Sequence, residues 1–237
     1  MSTRKFAAIV VATLTLGTTI LTGGPANADD STATTASARA AAQRPDVRPG
    51  PAGVRNSAVA KKQALSAAQL AKRDEFANRT GLAARDLYGP YHIINQHSNK
   101  CLTIYTASTA NNANAVQYTC DFSYPFNEEW YLEDVYGDQT AWHLRNAHSG
   151  KCLTIYTAST ANNATAVQYT CDYSSPYNEE WYMEDVYLTG ARWHLRNGHS
   201  FKCLTIYTAS TANNYAAVQY TCDWNSPFNE EWRFQLV

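Results

Sequence analysis

Three kinds of side chain in this 237-residue chain are spaced as if for chemistry. Adjacent carboxylates stand at Glu128-Glu129, Glu179-Glu180 and Glu230-Glu231. Histidines pair as His92 and His97, His143 and His148, His194 and His199, and cysteines as Cys101/Cys120, Cys152/Cys171 and Cys203/Cys222. Paired carboxyls suggest glycoside hydrolysis, but that reaction needs its two groups across one substrate bond, and neighbours along a strand face opposite ways. The chain also has no large non-repeated segment carrying a nucleophile, base and metal set, so no enzyme is expected. The cysteines lack the C-x-x-C spacing of a zinc site. The first histidine of each pair stands beside Leu or Ile in a strand pattern and the second in a polar turn ending in Ser. They read as surface and turn histidines rather than metal ligands or a pH switch, and neither metal nor cofactor is expected.

One phrase positions all of these residues. CLTIYTASTANN begins at Cys101, Cys152 and Cys203 without change, a period of 51 residues, and each copy runs on through AVQYTCD to NEEW. A period of this size marks one supersecondary unit repeated. In the second copy the runs 142–146, 152–156, 166–171 and 181–184 are short, aromatic or β-branched, and separated by Gly, Asn, Ser and Pro. That predicts four strands per copy and about twelve in all. Propellers share the four-strand unit but need at least four blades, which leaves a closed threefold all-β arrangement. Six cysteines allow fifteen pairings; one rule applied three times joins Cys101 to Cys120, Cys152 to Cys171 and Cys203 to Cys222. Each such loop contributes about 3 kcal/mol in the chain-entropy account.

The flanking sequence is different material. The first 90 residues carry twelve Lys and Arg against six Asp and Glu, while from Tyr91 onward there are seven against fourteen. A body seven charges negative does not suit nucleic acid, whose binding rests on paired phosphates. Residues 1–28 read as an export signal, with Arg4 and Lys5 before an apolar run and Ala26-Asn27-Ala28 as the cleavage site. The run is too short and Thr-rich for a membrane span. A secreted, oxidising location follows, which suits disulfides. Residues 29–56 read as a disordered linker or pro-segment, and 57–90 as a partly helical extension with Ser57 as N-cap and Gly81 as stop. Val59, Leu65, Leu70 and Phe76 share one side, but Lys62 and Arg73 interrupt it. The pattern favours a solvated tether or pro-helix over a docking helix. Asn78-Arg79-Thr80 and Asn163-Ala164-Thr165 match the glycosylation sequon, relevant only in a glycosylating host.

The paired cysteines eighteen residues apart, the GKCL entry at Gly150–Leu153, an aromatic two before the second Cys and the Asn-x-x-Trp close together resemble the ricin B-type lectins. The resemblance covers residues 91–237, as repeats 91–141, 142–192 and 193–237, and implies a β-trefoil. It implies a core role for Trp130, Trp181 and Trp232, which can bury together about a pseudo-threefold axis. It also implies one sugar site per repeat, formed by an Asp two after the first Cys, the aromatic and the closing Asn. Tyr118, Tyr169 and Tyr220 supply the aromatic, and Asn127, Asn178 and Asn229 the amide. Thr103, Thr154 and Thr205 stand where the Asp belongs, and Glu128, Glu179 and Glu230 where the family has Gln. A charged acceptor is worth about twice a neutral one, so the implied preference differs from galactose of the usual kind. Strand parity turns Thr103 and Tyr105 away from Leu102 and Ile104, toward a surface. Phe122, Tyr173 and Trp224 are candidate stacking walls for a sugar ring or, equally, turn-packing residues. The expectation is a secreted, bacterial-type, lectin-like module with three weak glycan or polysaccharide sites acting together. The alternative is a trefoil that has lost sugar binding and engages or inhibits a protein partner.

Overall fold

Alternation of Leu, Ile and aromatic residues with polar ones produces twelve short strands in three sets of four. They are β1 (Leu87–Asn95), β2 (Cys101–Ile104), β3 (Ala113–Tyr118), β4 (Glu129–Asp134), β5 (Trp142–Asn146) and β6 (Cys152–Ile155), followed by β7 (Ala166–Tyr169), β8 (Glu180–Asp185), β9 (Trp193–Asn197), β10 (Cys203–Ile206), β11 (Tyr215–Tyr220) and β12 (Glu231–Leu236). The structure is a computed structural model and describes residues 65–83, 86–123, 126–173, 177–225 and 228–237. The export signal, the linker and Ser57 lie outside the described residues.

Six strands close a barrel, each antiparallel to the next: β1 with β4, β4 with β5, β5 with β8, β8 with β9, β9 with β12, and β12 back to β1. The other six form the hairpins β2–β3, β6–β7 and β10–β11. These pair with one another through β11–β3, β3–β7 and the bridge Thr165–Val218, capping the barrel with a triangle. The result is trefoil-like. Trp130, Trp181 and Trp232 are fully buried in one cluster with Leu and Ile from all three repeats. Each indole nitrogen donates to a carbonyl, of Leu102, Leu153 and Leu204, at 2.9 Å. This satisfies the one polar atom that indole burial would otherwise strand. The three disulfides join the expected partners within each repeat.

The extension departs from expectation. A helix, α1 (Ala67–Thr80), starts at Ser66, whose hydroxyl and Gln69 form a reciprocal capping box. It stops where expected, at Gly81 in the left-handed conformation. It is not a solvated tether. Phe76 is buried and stacks on Tyr131 with centroids 4.2 Å apart, in a cluster with Ala77, Leu87 and Ala147. Arg79 donates to the Ala147 carbonyl and Lys72 reaches Glu129 at 3.1 Å. One aromatic and two cations dock the helix without a continuous apolar stripe, and Leu70, a member of the predicted stripe, stays exposed. The first strand accordingly begins at Leu87, ahead of the boundary drawn at Tyr91.

Candidate functional site

Beside each capping hairpin the phrase Tyr-Thr-Ala forms one tight turn. Thr106 and Ala107, Thr157 and Ala158, and Thr208 and Ala209 all adopt φ between 51° and 55°. Two consecutive non-glycine residues in the left-handed region cost about 1 kcal/mol or more each, and the cost recurs identically in all three copies. The turn displays Tyr105, Tyr156 and Tyr207 at 47%, 48% and 44% exposure, and the hairpin displays Tyr118, Tyr169 and Tyr220 at 43%, 43% and 44%.

In repeats 2 and 3 the turn and the hairpin enclose open grooves of about 410 and 390 Å³. The groove of repeat 2 brings together the three expected residues, Thr154, Tyr169 and Asn178, with Tyr156 as a second aromatic. That of repeat 3 brings together Thr205, Tyr220 and Asn229 with Tyr207. A residue of the preceding repeat completes each: Asn112 in the first case and Asn163 in the second. Their placement is fixed by a buried glutamine. The Gln168 side chain donates to the Ser108 and Ala110 carbonyls at 2.7 and 2.9 Å, and its backbone carbonyl accepts the backbone N–H of Asn112 at 2.8 Å. Gln219 holds the loop before Asn163 in the same way.

The threonines do not play the surface part that strand parity gave them. Thr103, Thr154 and Thr205 are buried at 4%, 4% and 5% exposure. Each hydroxyl donates to the backbone carbonyl of the closing Asn at 3.1 to 3.2 Å and accepts from that residue's side-chain amide at 2.6 to 2.7 Å. Parity fixes the face; the closing loop then covers it. The threonine thus orients the asparagine through its amide nitrogen. In Asn229 the amide oxygen is buried and has no partner among the described residues.

Carboxylates return to the groove by another route. Glu179 and Asp172 line the groove of repeat 2 and Glu230 that of repeat 3. Glu128, Glu179 and Glu230 are buried, and each accepts the backbone N–H of Asp121, Asp172 or Asp223 at 2.8 to 3.0 Å, as anticipated for a buried carboxylate that must be paired. Burial, with a contribution from the neighbouring Asp, pushes all three up to about 7. The aspartates follow the second cysteine directly in every copy, and this Cys-Asp step was the available sequence signal for them.

The histidine and aromatic expectations are partly corrected. His97, His148 and His199 are exposed turn residues, but His92, His143 and His194 are buried. Phe122, Tyr173 and Trp224 lie over them, with ring centroids 5.0, 5.4 and 4.5 Å apart. These aromatics pack on histidine and do not line the described grooves. Burial drives His194 down to about 4 and lowers His92, so the rings of these two are neutral packing surfaces at physiological pH. His194, Glu230 and Cys203 approach one another, but Cys203 is committed to its disulfide and offers no ligand.

Residues 82–169 match the family model described as Ricin-type beta-trefoil lectin domain-like. Among solved structures, a designed threefold-symmetric protein, ThreeFoil, is 33% identical with TM-score 0.57, over 63% of this chain and all of its own. The chain belongs to the ricin-type β-trefoil lectin domain-like family. An exo-β-1,3-galactanase from Clostridium thermocellum is 26% identical with TM-score 0.56; 63% of this chain corresponds to 30% of that enzyme. A ricin B-like lectin from Macrolepiota procera, solved in complex with lactose, is 16% identical with TM-score 0.51, over 62% of this chain and 94% of the lectin. It shares the fold. No curated protein matches the chain. Against the family pattern, this member replaces the groove Asp with a buried Thr and places Glu where Gln is usual. No helix among the described residues is long and apolar enough to cross a membrane.

Proposed function

We propose that this chain is an exported carbohydrate-binding protein whose three near-equivalent grooves act together on a polymeric or densely displayed glycan. The observation that carries this reading is the pair of exposed tyrosines with the same strained turn in each copy, which in repeats 2 and 3 line one groove together. Tyrosine faces stack on the apolar side of a sugar ring while amide and carboxylate groups take its hydroxyls. A shallow site with a few hydrogen bonds of about 1 kcal/mol each gives affinity on the order of millimolar. Three sites on one rigid body raise apparent affinity for a polymer about a hundredfold or more where two engage together. Three intra-repeat disulfides are compatible with an extracellular setting.

The experiment is retention of the protein on immobilised polysaccharides. Tyr118→Ala alone should weaken retention modestly, and the combined exchange of Tyr118, Tyr169 and Tyr220 should abolish it with circular dichroism unchanged. A folded triple variant that binds as tightly as the parent would overturn the assignment and favour a protein-engaging trefoil.

A further inference from the structure

The charge of the grooves is one-sided. Asp172 lines that of repeat 2, its counterpart Asp223 donates its backbone N–H to the Glu230 that lines that of repeat 3, and no Lys or Arg lines either. Glu179 and Glu230, pushed up to about 7, carry little charge where amines are protonated. The nearest cations are committed elsewhere. Lys151 and Lys202 donate to Thr170 and Thr221 at 3.1 and 3.2 Å, outside the linings. Arg145 and Arg196 pair with Glu133 and Glu184, each at 2.6 Å, and Arg192 with Glu231 at 3.0 Å. In the groove of repeat 2 the Thr154 hydroxyl donates to the Asn178 backbone carbonyl and accepts from its amide nitrogen, so the exposed Asp172 carboxylate and the two tyrosine faces are what the lining offers to a ligand. Asn229, with its unpartnered oxygen, lines the groove of repeat 3.

Resting on the carbohydrate reading above, we propose that these grooves select sugars carrying a free ammonium group, as in a de-N-acetylated hexosamine polymer, over acetylated, neutral and acidic glycans. An ammonium brings three donors and no acceptor, the complement of this lining. It binds carboxylate through a charge-assisted hydrogen bond and is attracted to the face of tyrosine. A uronate or sulfate would place like charge against the Asp carboxylate with no Lys or Arg in the lining to offset it. Along a polymer with repeated ammonium groups, the three grooves reinforce one another.

The full chain is applied to four immobilised polymers under conditions that protonate amines: a glucosamine polymer, the same polymer N-acetylated, a neutral glucan and a polyuronate. Retention on the amine should exceed that on its acetylated form about tenfold, the equivalent of one charge-assisted bond, with the polyuronate weakest. Replacing Asp121, Asp172 and Asp223 together by Asn should bring the amine-to-acetyl ratio toward one. On the unaltered protein, free glucosamine should compete better than N-acetylglucosamine, a readout that does not depend on the variant folding. Equal retention on amine and acetylated or neutral polymers overturns the selectivity and leaves carbohydrate binding standing. Retention on none of the four overturns both. An amine polymer held equally well after Tyr118, Tyr169 and Tyr220 are replaced by Ala assigns the attraction to net charge, and likewise overturns the proposal.

Discussion

The grooves and the barrel corners are generated by the same repeat, yet the grooves are alike and the corners differ. Each repeat presents the same Thr–Asn pair, the same two tyrosines and the same left-handed turn. At the corners, three equivalent buried glutamates find three different partners. Glu180 accepts the Tyr136 hydroxyl at 2.9 Å, from the loop joining β4 to β5. Glu231 accepts Tyr187 at 2.8 Å and Arg192 at 3.0 Å, from the loop joining β8 to β9. At Glu129 the joining loop does not exist, because there the barrel closes between β12 and β1, near the end of the chain and the start of the repeats. Helix α1 fills the place. Lys72 pairs with Glu129 and lies 5.8 Å from the Phe126 ring centre, much as Arg192 pairs with Glu231 and lies 5.9 Å from Phe228. Gln69 also ties the helix to the carbonyl of Val237. A groove needs information from a repeat and its neighbour, so duplication preserves it. A corner must also join the two ends of the domain, and repetition alone supplies no residue for that.

The largest expected effect concerns a feature the grooves share. Glu128, Glu179 and Glu230 have a folded-state value of about 7 against an ordinary value of 4.5. Between those values the folded protein binds more protons than the unfolded one, so stability falls as pH rises from about 4.5 to 7 and stays lower above. Each site contributes on the order of 2 kcal/mol to that fall. Exchanging all three for Gln, which keeps an acceptor for the Asp amide, should raise stability at alkaline pH by a few kcal/mol and leave it nearly unchanged near pH 4.5. Denaturant titrations across pH measure the difference. A variant curve parallel to that of the parent would mean that the shared carboxylates are not the groups being titrated.

Much of this architecture was legible because its signals are local and repeated. The strand at 142–146 coincides with β5, and the cysteine pairing and tryptophan core follow directly from the period. What escaped depends on what covers a face. Thr103 lies on the predicted side of its strand, but the loop carrying Asn127 closes over it. His92 lies beneath Phe122, which alternation along β1 cannot reveal. Docking of α1 rests on Phe76 meeting Tyr131, a pairing across 55 positions that interrupts no pattern in either segment.

The next effect tests whether the corners are independent of the grooves. Phe76→Ala removes the stacked ring that holds α1 on β4, costing about 3 kcal/mol where burial is complete. Amides in residues 67–80 should lose protection from hydrogen exchange, with those of β5 and β8 little changed. Glycan retention should remain that of the parent, because Tyr105 and Tyr118 are as exposed as their counterparts in the repeats that carry no helix. A fall in retention would show that the helix supports the first groove and break the separation between the two regions.

The smallest effect distinguishes the corners from one another. Lys72 is 40% exposed and Arg192 36%, so solvent screens both ion pairs and each is worth about 1 kcal/mol at most as an attraction. What differs is what remains when the cation is removed. Lys72→Met leaves the buried Glu129 carboxylate without its one hydrogen-bond partner among the described residues. Arg192→Met leaves Glu231 with the Tyr187 hydroxyl still donating. Stranding a buried acceptor costs more than losing one of two bonds to it. Lys72→Met should therefore destabilise by about 1 kcal/mol more than Arg192→Met in matched chemical denaturation. Adding Tyr187→Phe to the arginine exchange should then close the gap. Equal losses in the two single variants would mean that the helix is an incidental neighbour of Glu129, and the corner without a hairpin would need another explanation for its closure.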